Sequence, residues 1–197
     1  MELDMTHDIQ SVFRKLLNCM SRPGLIENIS TESQKIDINI DISSHLLTVL
    51  FTVLDGEVSF DLMALNGNQL VKKINQLTYA KNTAIQQADY IIVTKTADQL
   101  ELLKACGKAK VGTLIDPHKS ATLIMEVEEI FAAQQLVLTG PGIERESYVS
   151  VSGSLDWIGK RMEKNIEFPL GIDMIIVDGT GNIICLPRTT KIAYQGG

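Results

Sequence analysis

Arg188 lies in Pro187-Arg188-Thr189-Thr190, directly after an apolar run, and it is one of only five arginines (with Arg14, Arg22, Arg145 and Arg161). A planar guanidinium can hold a carboxylate or a phosphate through two parallel hydrogen bonds, and two hydroxyls follow it here. An internal salt bridge is the competing role, and Asp173 is the natural partner. Asp173 closes the entry Phe168-Pro169-Leu170-Gly171-Ile172 and precedes a very apolar stretch. A carboxylate so placed is paired, caps a turn or is functional, and pairing is the commonest state of a largely buried charge. Pro169 and Gly171 fix an unusual backbone path into that stretch.

Two other segments could meet an anion. Thr139-Gly140-Pro141-Gly142 follows an apolar run, so the backbone at Gly140 and Gly142 could approach a phosphate beside Arg145. Pro141 removes one N–H, however, and such turns also arise for local reasons. Asp116-Pro117-His118-Lys119-Ser120 could present His118 and Lys119 to a phosphate-rich ligand, or be an ordinary solvated loop.

Other chemistries lack their residues. His7, His45 and His118 are far apart, and no Cys or His pair has metal-ligand spacing, so no metal is expected. There is no G-x-S-x-G elbow, no P-loop and no G-x-G-x-x-G. Cys19, Cys106 and Cys185 lie in apolar surroundings and are expected to be inert buried thiols. No catalytic constellation is therefore expected.

The elements that must position these residues read as follows. Ile9, Val12, Phe13, Leu16, Leu17 and Met20 form one stripe of a first helix, capped by Thr6 or Asp8 and stopped by Ser21-Arg22-Pro23-Gly24. A short strand follows at 25–29, then a polar connection at 30–41. A second helix spans 42–54, capped by Ser43 or Ser44 and apolar nearly all round. A strand is expected at 58–62, a helix at 67–79, a buried strand at 88–94 (ADYIIVT) and a helix at 97–106 stopped by Gly107. Strands at 121–127, 136–139, 172–177 and 183–186 complete the pattern, with a helix at 154–165 carrying Trp157. Early strands alternate with helices and later ones are joined by short turns. This predicts an α/β three-layer sandwich around a mixed sheet, as one domain over 1–197.

Composition fits that picture. Apolar residues are 45% and charged residues 21% of 197, ordinary for a globular domain. Net charge is −6, and no Lys/Arg run exceeds two, which argues against nucleic acid and an anionic membrane as partners. The acidic N-terminus lacks a signal-peptide core and the cysteines are odd in number, so a reducing cytoplasm is expected.

Several segments together resemble the PhnH family, subunits of the bacterial carbon–phosphorus lyase system. They are Phe13-Arg14-Lys15-Leu16-Leu17 with Met20-Ser21-Arg22-Pro23-Gly24, and Ser120-Ala121-Thr122-Leu123-Ile124. Leu138-Thr139-Gly140-Pro141-Gly142-Ile143, Phe168-Pro169-Leu170-Gly171-Ile172-Asp173 and Leu186-Pro187-Arg188-Thr189-Thr190 complete the set. The match is weaker between about 30 and 110. The resemblance implies a fold related to pyridoxal-phosphate-dependent transferases of the aspartate aminotransferase kind, but without the cofactor. No lysine stands in a clear Schiff-base setting; Lys95 lies in an ordinary Thr-Lys-Thr turn. The resemblance also implies sister subunits PhnG, PhnI and PhnJ, and a homodimer in isolation. The implied role is accessory, in forming α-D-ribose 1-methylphosphonate 5-triphosphate from ATP and methylphosphonate, with a partner holding the iron–sulfur cluster. The alternatives are direct binding of a nucleotide or phosphonate by Arg188 with Arg145 or Lys119, and a free-standing pyridoxal-phosphate enzyme.

Overall fold

The computed structural model describes residues 4–65 and 67–194. The outermost residues of the expected 1–197 domain lie outside that range. Helix α1 (His7–Ser21) leads to a short edge strand β1 (Glu27–Asn28) and a single helical turn α2 (Ser30–Ser33). Helix α3 (Ser44–Val53) follows, with Ser43 accepting from Leu46 N–H at 3.1 Å as its cap. Then come β2 (Ser59–Met63), α4 (Gly67–Thr78), β3 (Lys81–Asn82), β4 (Tyr90–Val93) and α5 (Gln99–Lys108). The second half holds β5 (Thr122–Val127), β6 (Ile130–Thr139), β7 (Ser147–Val151), α6 (Trp157–Lys164), β8 (Asp173–Asp178), β9 (Asn182–Leu186) and β10 (Lys191–Tyr194).

Seven strands form a mixed sheet in the order β1-β9-β8-β5-β4-β2-β3. The five from β8 to β3 are parallel, and β9 and β1 are antiparallel additions. Parallel strands are covered on both faces, which is why β4, β5 and β8 are near-continuous apolar runs. Leu123, Met125, Met174 and Ile176 face α5, α6 and a small second sheet. Ile124, Ile175 and Val177 face α1, α3 and α4.

The second sheet, β10-β6-β7, is antiparallel. It corrects the expectation for 136–139, which belongs here and not to the main sheet. β7, β10 and the short β3 were not foreseen. Other details also differ. The first helix is capped by Asp4, whose carboxylate accepts from Thr6 and His7 N–H at 2.8 and 2.9 Å; neither Thr6 nor Asp8 does this. Phe13 and Leu17 of the expected stripe are exposed, and Cys19 is buried in their place. Gly107 lies inside α5, which starts instead from a capping box between Asp98 and Glu101.

Asp178 ties the two sheets together. It sits at the end of β8, fully buried, and accepts from Ile130 N–H at the start of β6. It also accepts from Thr180 N–H, Thr180 Oγ1, Asn182 N–H and Asn182 Nδ2 in the β8–β9 turn. Burial pushes its pKa up, but these hydrogen bonds outweigh burial and hold it below the usual carboxylate range.

Candidate functional site

Strand register decides where the sequence candidates lie. Thr122 pairs with Asp173, so the starts of β5 and β8 are side by side at the amino edge of the parallel strands. The turn Pro117–Lys119 and Ser120 precede β5 at that edge. Arg188 follows the end of β9, which runs antiparallel to β8 and returns to the same edge, with Leu186 opposite Met174.

Arg188 is spent on its own chain. Its Nε donates to Asp173 Oδ1 at 3.2 Å, and its Nη2 donates to Asp173 Oδ2 and to Ser120 Oγ. Its Nη1 donates to the carbonyls of Pro117 and Pro169, at 2.8 and 3.3 Å. All five guanidinium N–H groups are thus engaged. Asp173 Oδ1 also accepts from Arg188 N–H at 2.7 Å. An incoming phosphate would have to displace Asp173 or these carbonyls. What the arrangement does is lash three segments together: the turn before β5, the Phe168–Ile172 entry and the Pro187–Thr190 exit. The Phe168–Pro169 peptide in that entry is cis.

The other candidates are spread around this knot. His118 and Lys119 are exposed, and Lys119 pairs with Asp116 at 2.9 Å. Arg145 is exposed in the loop between β6 and β7. Gly140 and Gly142 are explained by packing. A Cβ on Gly140 (φ +133°) would lie 2.8 Å from the Thr189 carbonyl oxygen, and one on Gly142 (φ +84°) would overlap the Ser21 carbonyl oxygen. The Thr-Gly-Pro-Gly turn therefore wedges between the Pro187–Thr190 exit and the end of α1. Pro187 and Thr189 belong to that exit, where Thr190 N–H donates to the Pro187 carbonyl at 2.8 Å.

Sequence reasoning passed over Arg161, which is only 1% exposed. Its Nη1 donates to Thr190 O at 3.0 Å, and its Nη2 donates to Leu186 O and Pro187 O at 3.2 and 2.6 Å. Burial pulls its pKa down to about 10, with Asp173 pulling the other way. Two guanidiniums therefore clamp the same exit, Arg161 by carbonyls and Arg188 by Asp173. In sequence, Arg161 sits in Gly-Lys-Arg-Met-Glu-Lys, where nothing separates a buried cation from solvated ones.

The amino edge also carries exposed apolar side chains. Ile115 is 91% exposed, and Leu114, Ile166, Phe168 and Met162 are exposed beside it in sequence or in the adjoining segment. A cavity of about 480 Å³ opens here, lined by Arg161, Met162, Ile166, Phe168, Thr190 and Ile192 among others.

At the opposite, carboxyl edge lies a crevice of about 300 Å³, lined by Thr94, Lys95, Gln99, Glu126, Ser152 and Ser154 among others. Glu126 is the one charge in the buried run Leu123–Val127 and is 5% exposed. A signal for it existed: an acid in the middle of Leu-Ile-Met-Glu-Val demands a reason. Half-buried His45 lies within electrostatic reach; burial lowers its pKa, while Asp178 and Glu126 pull it back up. Among the described residues no group of His, Cys, Asp and Glu could hold a metal ion, and no helix is long and apolar enough to cross a membrane.

Comparison with known proteins agrees with the convergence of these motifs. The family model of the bacterial phosphonate metabolism protein PhnH matches residues 3–193. A putative C-P lyase subunit protein, HtxG, of Stutzerimonas stutzeri is 32% identical over 190 residues, covering 95% of this chain and 87% of that protein. The α-D-ribose 1-methylphosphonate 5-triphosphate synthase subunit PhnH of Rhizobium meliloti (strain 1021) is 30% identical over 199 residues, covering 98% and 94%.

Proposed function

Because this chain belongs to the PhnH family of bacterial phosphonate metabolism proteins, we infer that it is an accessory subunit of a carbon–phosphorus lyase complex. Its role is in forming α-D-ribose 1-methylphosphonate 5-triphosphate from ATP and methylphosphonate. The observation that carries this reading is the end-to-end similarity to a subunit of that synthase. The geometry supports an assembly role. The most conspicuous candidate, Arg188, organises a surface and has no donor to spare for a substrate.

The surface it organises suits a partner subunit. Leu114, Ile115, Ile166 and Phe168 are loop residues held in place by the Arg188 ties to Pro117 and Pro169. Ile166 and Phe168 line the cavity, while Leu114 and Ile115 lie in the loop before the Pro117 turn; exposed apolar side chains of this kind are characteristic of docking sites. The cavity is lined by Arg161, Arg188 and Lys191, with no carboxylate in its lining among the described residues. A partner segment carrying an apolar side chain next to an acid would satisfy both features.

We propose the sister subunits PhnG, PhnI and PhnJ as partners, and a homodimer through the same kind of surface when the chain is alone. The proposed setting is the cytoplasm. We further propose that the fold descends from that of pyridoxal-phosphate-dependent transferases, with the cofactor lost. The test is co-purification with the three sister subunits at micromolar concentration. Ile115→Glu and Phe168→Glu should abolish it while leaving the melting temperature of the isolated chain within about 2 °C, since exposed positions contribute little to stability. Failure of the unaltered chain to associate would overturn the reading.

The second reading, ligand binding by Arg188 with Arg145 or Lys119, requires the Asp173 pair to open. Loss of synthase activity in Arg188→Ala with fold and assembly intact would establish it.

A further inference from the structure

Glu126 is a buried carboxylate without the partners that such a group needs. Its Oε1 is buried and has no hydrogen-bond partner among the described residues. Its Oε2 accepts Lys95 N–H at 3.2 Å. Among the described residues no cationic side chain pairs with it, whereas Glu32, Asp8 and Asp89 each hold a lysine and Asp173 holds Arg188. Burying a charge in this way is costly, and an unsatisfied buried acceptor is rare enough to require an explanation.

Position supplies that explanation. Glu126 is next to last in β5, at the carboxyl edge of the parallel strands, and lines the crevice described above. In open α/β sheets, ligands bind in crevices outside the carboxyl ends of the strands. The crevice is of a size for one sugar ring; the exposed ammonium of Lys95 and the hydroxyls of Ser152 and Ser154 line it, together with the carboxylates of Asp98 and Glu128. A free carboxylate oxygen accepts from hydroxyl or ammonium donors and repels phosphate. The donor-rich, phosphate-free part of a nucleotide is the vicinal diol of its ribose.

We propose that this crevice is a nucleotide subsite, with Glu126 accepting from the ribose hydroxyls and Lys95 facing the phosphates at the mouth. The proposal rests on the reading of the chain as part of a ribose triphosphate synthase, and it names the residue that would hold the sugar.

The test is titration of the purified full chain with ATP, 2′,3′-dideoxy-ATP and inorganic triphosphate, for the unaltered protein and for Glu126→Gln and Glu126→Leu. ATP should bind the unaltered chain, and Glu126→Leu should weaken it at least ~10-fold, as expected on losing a hydrogen bond to a charged group. Dideoxy-ATP should bind the unaltered chain as weakly as ATP binds the variant. Triphosphate should not distinguish the proteins. Glu126→Gln should melt at or above the unaltered chain, because it removes an unpaired buried charge. Equal affinity for ATP and dideoxy-ATP, or no binding of ATP at all, overturns the proposal without any variant having to fold. Co-purification with the sister subunits is a separate readout, so the assembly reading can fail while the nucleotide subsite stands, and the reverse.

Discussion

Replacing Arg188 by alanine separates a residue that holds the fold from one that holds a ligand. The substitution removes the side-chain ties among the Pro117 turn, the Pro169 entry and the Pro187–Thr190 exit, and keeps only the backbone N–H bond to Asp173. It leaves Asp173 without a cation and Ser120 and two carbonyls without donors. Removing one partner of a buried pair costs roughly 3–5 kcal/mol. Here the side chains are 17% and 21% exposed, so water can reach the stranded carboxylate. That places the cost near the lower end, at about 3 kcal/mol. For a chain of this length each kcal/mol lowers Tm by roughly 2–4 °C, so a fall of about 6–12 °C is expected. Calorimetry or urea unfolding measures it. A second variant tests the cause: Arg188→Met combined with Asp173→Asn should be less destabilised than the sum of the two single changes, because no charge is left stranded. A fall below about 2 °C accompanied by loss of synthase activity would refute the reasoning and move Arg188 to the ligand.

Two further outcomes follow from burial. Asp178 is held below the usual carboxylate range, so its contribution is fully present above the unfolded pKa of about 3.9 and is lost as pH falls through the lower folded value. The stability gap between the unaltered chain and Asp178→Asn should be flat from pH 6 to 8 and close below about pH 4; a gap that stays constant in urea unfolding down to pH 2.5 would contradict it. All three thiols are buried, and burial pushes Cys106 up to about 12 and Cys185 upward as well. A thiol-disulfide reagent at pH 8 should label none of them in minutes in the native chain and all after unfolding, and rapid native labelling of Cys106 would show that α5 opens.

The sequence is most readable where burial is two-sided. The runs at 88–94 and 172–177 are apolar without alternation because helices or a second sheet cover both faces, and both appear as central parallel strands. The small sheet was harder to see. β6 holds Phe131, Ala132, Gln134 and Gln135 outward and carries a register shift, so its first half has no clean period. β10 and β7 are short edges of that sheet. The stripe on α1 misled differently: periodicity places Phe13 and Leu17 on the apolar side, but the core takes only the arc through Val12, Leu16 and Cys19. Among candidate residues, the Asp173 partnership of Arg188 was foreseen as an alternative because both flank the same apolar hairpin. Its ties to Pro117 and Ser120 were not, since they bring together segments some 70 residues apart along the chain.

Sheet polarity gives the two edges different work. At the amino edge Arg188 is satisfied by Asp173 and by carbonyls, whereas Arg161 keeps its Nε, and Thr190 its Oγ1, buried without a partner among the described residues; the exposed side chains around them are apolar, and such an edge lowers its free energy by contact with another protein. At the carboxyl edge the surface is polar and the unsatisfied group is a single carboxylate oxygen; such an edge is satisfied by a small donor, not by an apolar contact. The six residues of β5 separate the two by about 20 Å, at roughly 3.3 Å per residue. Changes at positions that far apart with no shared partners are expected to be additive. Phe168→Glu should therefore abolish assembly without altering ATP affinity, and Glu126→Leu should do the reverse. If either substitution moved both readouts, the division of labour between the edges would be wrong, and the nucleotide and the partner would share one surface.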